Sequence, residues 1–472
     1  MIGRQKELKQ LRQLLESPNS EFAALYGRRR IGKTYLVNEA FGYRFAFHHA
    51  GMKNATLVKQ LKQFRLSLMQ QGHERCPALK DWQSAFFELE KFIDGLSVSR
   101  KIVFIDEMPW LDTPRSGFLS ALESFWNNWA SFRKDIVLIA CGSATSWVVK
   151  NIIRNKDGLY GRVRTRIKLF PFTLAECEKY ANEELHLGFA RSEIAECYMV
   201  FGGVAYYWSV LERGKSPAQN IDALFFGPQD GLRTEYDELY RSLFRNPEKY
   251  LEIVKILGGR RNGLTRDELI VKLNGVSGGD ISRCLADLEE CGFIRKYQTS
   301  AKGKNGGVYQ LIDAFTLFYR RFVEGNTVRS GDYWQTRLTE GTKNEWRGFA
   351  FERLCLAHID RIKTALGISG VFTDAYSWRA SDDSGKPAAQ IDLLIDRRDG
   401  IVNLCEMKYS SVEYELEKSE YERLQKRITT FSESLPKRKS LHITFVTMFG
   451  LKANLYRHKV QSQVVLDDLF KE

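Results

Sequence analysis

The sequence predicts an α/β protein, and three observations carry that prediction. Continuous apolar strands alternate with helical stretches up to about residue 170, the pattern turns helical at Pro171, and strands return after Trp346. Apolar strands joined by helical crossovers imply a parallel sheet covered on both faces. A chain of 472 residues is too long for one core. The expected divisions are a sheet domain over 1–170, a helical segment over 171–244, a small unit over 245–312, a linker helix over 313–345 and a second α/β unit over 346–472.

In the first domain, strands are expected near 22–26, 44–48, 101–105, 136–140 and 165–169. Phe22-Ala23-Ala24-Leu25-Tyr26 reads as a buried strand. Gly27-Arg28-Arg29-Arg30-Ile31-Gly32-Lys33-Thr34 follows it, and a helix continues from Tyr35. The run fits G-x-x-x-x-G-K-[ST], a phosphate-binding loop, in the strand-to-helix context the loop needs. Glycines let backbone N–H groups wrap phosphates, and the helix dipole favours negative charge there. Lys33 is placed to reach the β/γ-phosphates and Thr34 to hold Mg²⁺; residues 27–35 are the candidate nucleotide contacts. Lys101-Ile102-Val103-Phe104-Ile105-Asp106-Glu107 is an apolar strand ending in two acids. Asp106 suits the Mg²⁺ shell, and Glu107 suits orientation or deprotonation of the attacking water. ATP and Mg²⁺ are therefore the expected cofactors.

Composition supports this reading. A hydrophobic fraction of 43% with 12% aromatic indicates packed domains rather than disorder. Lys and Arg number 71 against 58 Asp and Glu, a net charge of +13. That excess points to an anionic partner, and nucleic acid is the commonest for such a protein. The N-terminus lacks an apolar signal core, and no apolar run reaches membrane-spanning length. A cytoplasmic protein without a membrane partner is expected. The 8 cysteines are scattered without a C-x-x-C pair, so they read as reduced, buried thiols rather than a zinc site. His48-His49 has no partner at metal-ligand spacing and reads as structural.

The helical stretch opens on a capping-box pattern, Thr173-Leu174-Ala175-Glu176. A helix is expected over 250–257, a second from Leu264, and a third over 280–288 with Ile281, Cys284, Leu285 and Leu288 on one face. Strands at 293–297 and 308–311 flank a turn rich in Gly and Lys. Three helices followed by a hairpin describe a winged helix-turn-helix. Its third helix carries Asp280, Asp287 and Glu289, which repel phosphates. Arg283, Lys296, Lys302 and Lys304 are the candidate backbone contacts.

In the last unit, Gln390-Ile391-Asp392-Leu393-Leu394-Ile395-Asp396, the turn Arg398-Asp399-Gly400 and Ile401-Val402-Asn403-Leu404-Cys405-Glu406-Met407-Lys408 form a hairpin. Period-2 alternation places Glu406 and Lys408 on one face. Glu352 sits upstream on a helix expected from about Glu345. Asp392 and Glu406 suit Mg²⁺, which prefers oxygen ligands, and Lys408 suits activation of a metal-bound water. A solvated E-x-K face on an ordinary hairpin is the plain alternative.

Taken together, the first three regions resemble the archaeal-type ATPase family, a branch of the AAA+/STAND P-loop ATPases. The residues that carry the resemblance are 2–8, 27–34, Phe104-Ile105-Asp106-Glu107, Cys141-Gly142-Ser143-Ala144, Leu159-Tyr160-Gly161-Arg162 and Phe201-Gly202-Gly203-Val204-Ala205-Tyr206-Tyr207. The C-terminal unit is similar to the restriction-endonuclease-like PD-(D/E)XK domain fused to such ATPases. The resemblance implies a helical lid over 171–244, a sensor role for Ser143, and an arginine finger at Arg162, with Arg164 and Arg166 as rivals. It also allows a homo-oligomer through the ATPase domains. Ala205 stands where the family usually has proline. The implied function is an ATP-hydrolysing switch acting on nucleic acid, in preference DNA, with a metal-dependent nuclease module. The alternative is an ATP-gated DNA-binding or scaffold protein whose nuclease-like fold does not cut.

Overall fold

A computed structural model describes residues 1–471 apart from 144, 156, 230, 245, 299–306, 382–386, 434, 436 and 437. Ala144, Lys302 and Lys304 of the sequence reading thus lie outside the described residues. The chain divides into two compact units, Met1–Pro171 with Leu239–Pro247, and Phe172–Glu238 with Glu248–Glu472.

The first unit is built on five strands: β1 (Glu21–Gly27), β2 (Phe47–Ala50), β3 (Lys101–Asp106), β4 (Ile136–Gly142) and β5 (Thr165–Leu169). Their spatial order is β2-β3-β4-β1-β5, and every pairing is parallel. All residues of β3 and β4 are buried, as a sheet covered on both faces requires. The core around Phe22, Phe47, Phe64, Trp82, Phe86 and Phe118 fills one side. β2 runs 47–50 rather than the expected 44–48. Gly42 and Tyr43 turn left-handed at φ 58° and 59° after the helix Lys33–Phe41, and that turn uses up residues that look extended in sequence.

The second unit contains three helices, Pro247–Gly258, Arg266–Lys272 and Gly278–Glu290, with a small antiparallel sheet of β6 (Leu264–Thr265), β7 (Ile294–Tyr297) and β8 (Val308–Leu311) in the order β6-β8-β7. Leu264 pairs with Tyr309 in that sheet instead of opening a helix. Thr265 caps the helix that follows, in a box with Glu268. Ile281, Cys284, Leu285 and Leu288 are the buried face of the third helix, as the 3.6-residue period dictates.

The same unit carries β9 (Thr373–Ser381), β10 (Pro387–Arg397), β11 (Ile401–Lys408), β12 (Ser440–Thr447) and β13 (Ser462–Val465) in the order β13-β12-β11-β10-β9. β9, β10 and β11 pair antiparallel, while β11, β12 and β13 pair parallel. The helix Lys418–Ser432 buries Leu424 and Phe431 against this sheet's core. The helix bearing Glu352 spans Glu340–Ala357 and starts five residues before the expected point. Thr339 is the reason: its side chain caps the helix by accepting from the Thr342 N–H.

Candidate functional site

The nucleotide-binding loop takes its shape from backbone sterics. Gly27 holds φ 145°, and a Cβ there would sit 2.3 Å from the Leu169 carbonyl oxygen. Gly32 holds φ 89° and opens the helix Lys33–Phe41, so both positions need glycine. Gly32 has open space where a Cβ would stand. That leaves the helix N-terminus clear for an anion, the setting in which backbone N–H groups bind phosphate.

The residues predicted around this loop come together. Lys33 is buried, and its Nζ donates to the Gly27 carbonyl at 3.1 Å, the Arg28 carbonyl at 2.9 Å and Ser143 Oγ at 2.9 Å. Ser143 Oγ in turn donates to Glu107 Oε1 at 2.8 Å. Thr34 Oγ1 donates to Asp106 Oδ2 at 2.6 Å, and Asp106 Oδ1 accepts from the Glu107 N–H at 2.8 Å. The register explains the convergence: β3 pairs with β4 and β4 with β1, all parallel, so their carboxyl ends share one edge. Glu107 sits just past β3 at φ 44°, an unusual conformation for a non-glycine residue and a kind of strain that collects at functional sites. Among the other loop residues, Arg28 and Ile31 are buried, Arg29 and Arg30 are half-buried, and Tyr35 is exposed. Arg162 and Arg164 are exposed in the turn before β5, while Arg166 Nε donates to the Val163 carbonyl at 3.0 Å. His49 donates or accepts at Ser67 Oγ across 2.9 Å, and burial holds its pKa near 4. A ring kept neutral and bonded to a serine has a structural role.

The C-terminal acids have different surroundings. Leu393 pairs with Cys405, and Leu394 with Leu404. Asp392 and Glu406 follow directly on the last pair of that ladder, and the two carboxylates are near enough for the charge of one to act on the other. Burial raises the Glu406 pKa above its ordinary value, and the Asp392 charge adds to that. Glu406 pairs with Arg427 at 2.8 Å and more loosely with Lys408 at 3.9 Å; Lys408 pairs with Glu420 at 2.6 Å. Glu352, fully shielded, pairs with Arg353 at 2.8 Å and with Arg261 at 2.5 Å. Gln390 Nε2 donates to Asp392 Oδ1. The expected convergence of three carboxylates is looser than a metal cage. Among the described residues, only His73, Cys76 and Glu88 bring three ligand atoms within 4.8 Å of one another. That trio already has positive charge beside it: Lys91 pairs with Glu88 at 2.9 Å, and the Arg65 guanidinium binds the Cys76 carbonyl at 2.9 Å. It reads as an ion-pair network rather than a cation site.

Arg261, Arg353, Glu420 and Arg427 were absent from the sequence reading. Glu420 and Arg427 are seven apart on the helix Lys418–Ser432, a spacing that puts both on one face. That was a readable signal. Arg261 reaches Glu352 across 91 positions, and no local pattern announces it.

Fold and loop together define a P-loop ATPase. Residues 1–211 match the family described as an ATPase domain predominantly from Archaea. An uncharacterized protein of Methanocaldococcus jannaschii is 28% identical over 361 residues, covering 75% of this chain and 76% of the relative. Two solved structures are also similar. A Walker-type ATPase of Pyrococcus abyssi has 18% identity and a TM-score of 0.47, covering 68% of this chain and 96% of its own. The ORC2 protein of Aeropyrum pernix, in its ADPNP–ADP complexes, has 15% identity and a TM-score of 0.41, covering 68% and 93%. Among the described residues no helix is long and apolar enough to cross a membrane.

Proposed function

We propose that the chain is an ATP-hydrolysing switch acting on nucleic acid, with a metal-dependent nuclease module at its C-terminal end. The observation that carries the ATP-driven part is the chain of contacts Lys33–Ser143–Glu107 beside Thr34–Asp106. Lys33 neutralises the β/γ-phosphates. Ser143 holds Lys33 and Glu107 in one register and senses the terminal phosphate. Glu107 orients the attacking water and accepts its proton. Thr34 Oγ1 and Asp106 Oδ2 are adjacent hard oxygens and fit Mg²⁺. That ion would bridge phosphate oxygens and offset the charge that develops in transfer. Arg162 and Arg164 are exposed, which suits an arginine acting on a neighbouring copy.

The net charge of +13 supports a nucleic-acid partner, DNA in preference. We read 171–244 as a helical lid, 245–312 as a winged helix-turn-helix and 346–472 as the nuclease-like domain. In that domain Asp392 and Glu406 would hold Mg²⁺. Lys408 would activate water there, and Glu352 would support the acid pair. The nearness of Asp392 to Glu406, whose charge it acts on, favours this. The ion pairing of Glu352 and Glu406 favours the second reading, a DNA-binding or scaffold protein whose nuclease-like fold does not cut.

Supercoiled plasmid incubated with the full chain, Mn²⁺ and ATP separates the two. Nicking that disappears in Asp392→Ala and Lys408→Ala supports the nuclease. A mobility shift without nicking supports the scaffold.

A further inference from the structure

In the second unit, the turn Arg260-Arg261-Asn262-Gly263 between the helix Pro247–Gly258 and β6 touches the acid cluster of the C-terminal sheet. Gly263 makes the turn possible: it holds φ 68°, and a Cβ would sit 2.3 Å from the Tyr309 carbonyl oxygen. The turn is fixed at several points. The Arg261 carbonyl accepts from Gln310 Nε2 at 2.7 Å and also from Arg353. The Asn262 carbonyl accepts from the Tyr297 hydroxyl at 2.6 Å and from Arg379. Asn262 Oδ1 accepts from Gln390 Nε2 at 3.0 Å, and the same amide donates to Asp392. The turn therefore meets Glu352 through a charge and Asp392 through an amide.

The two arginines on Glu352 are not equivalent. Arg353 comes from the carboxylate's own helix, and its side chain is 4% exposed, so it is a permanent partner. Arg261 comes from a separate segment, and its side chain is 59% exposed. A buried charge that loses every partner is severely penalised. Glu352 would keep Arg353 if Arg261 left, so Arg261 can leave without stranding it. Arg261 Nε and Nη2 both donate to Glu352 Oε2, at 3.2 and 2.5 Å, while Arg353 takes Oε1, so Arg261 occupies the oxygen a hard divalent cation would use.

We infer that the Arg261 side chain is a releasable clasp on a fixed turn: it takes the cation position beside Glu352, while Asn262, through Gln390, holds Asp392, and together they keep divalent cations out until the guanidinium swings away. The inference rests on the reading of Asp392 and Glu406 as a divalent-cation site that Glu352 supports. It places the control of that site in the small helical unit of the same chain. Anything that draws the Arg261 side chain away, such as a phosphate backbone attracting it, opens the site.

Mn²⁺ alone tests this, titrated into the full-length, metal-stripped, nucleotide-free protein and followed by electron paramagnetic resonance. Arg261→Ala should bind Mn²⁺ at least about tenfold more tightly than wild type. Arg261→Lys should fall between them, and Glu406→Gln added to Arg261→Ala should abolish the gain. Equal, tight Mn²⁺ binding by wild type and Arg261→Ala overturns the clasp and leaves the metal site standing. No Mn²⁺ binding by either overturns the metal-site reading and the clasp with it. Arg261→Gln, which keeps the side chain's bulk without its charge, replaces Arg261→Ala if the latter melts early, with the same outcomes.

Discussion

The nucleotide loop and the C-terminal acid cluster are built from similar residue types, yet they stand at opposite ends of readiness. At the loop, one lysine faces two backbone carbonyls and a serine, and the acids face hydroxyls and an N–H. In the acid cluster, Glu352 has Arg353 and Arg261, Glu406 has Arg427 and Lys408, and Lys408 has Glu420. In the first arrangement Asp106 is held by a hydroxyl and an N–H and Glu107 by a serine, neutral donors that a metal–triphosphate complex would replace without breaking an ion pair to an arginine. The second has its charges matched, so an incoming cation must displace an arginine.

The largest expected effect lies at the loop. Lys33→Ala should weaken ATP binding by about 10²-fold or more, because charge-assisted contacts to phosphate are among the strongest a site makes. Isothermal titration with a non-hydrolysable ATP analogue measures this, and undiminished affinity would remove Lys33 from the site. Glu107→Gln should leave that affinity intact and lower turnover by about 10²–10⁴-fold, the range general-base catalysis supplies. Turnover at the wild-type rate would dismiss Glu107 as the base and break the claim that this site is the prepared one.

A smaller effect is expected from Ser143→Ala. Its hydroxyl joins Lys33 to Glu107 through two bonds of 2.9 and 2.8 Å. Losing it should cost turnover on the order of tenfold, with nucleotide affinity nearly unchanged. A drop in affinity equal to the drop in turnover would mean that Ser143 shapes the loop rather than the reacting geometry.

How much of each region the sequence disclosed follows from the same contrast. Phosphate chemistry demands glycines and a lysine at fixed spacing, so residues 27–34 could be read directly. A strand ending in Asp106-Glu107 and a hairpin ending in Glu406-Met407-Lys408 are local patterns too, the first read from a continuous apolar run and the second from period-2 alternation. The partners that decide the state of the acid cluster are not local. Arg261 lies 91 positions from Glu352, and Arg427 approaches Glu406 only because a helix crosses the sheet. Caps and turns were the other blind spot. Thr339 lengthened one helix, and Gly42 with Tyr43 moved β2, each a single-residue effect that apolar periodicity does not register.

The smallest effect tests the cluster's own chemistry. Burial raises the Glu406 pKa above the ordinary 4.5, Asp392 pushes the same way, and Arg427 and Lys408 pull against them. A folded-state pKa above the unfolded one means that the neutral carboxyl suits the fold. Its contribution to stability is fully present below 4.5 and is lost as pH rises through the raised value. Cation uptake needs the carboxylate, so Mn²⁺ affinity should climb across the window in which apo stability declines. Melting temperature and Mn²⁺ binding, followed between about pH 4 and pH 7 in wild type and Glu406→Gln, check both trends. The glutamine variant should lose the decline, which Arg427 and Lys408 keep small by pulling against burial. Identical pH profiles for the two proteins would show that Glu406 stays ionised throughout, and the cluster would then be an ordinary ion-pair network.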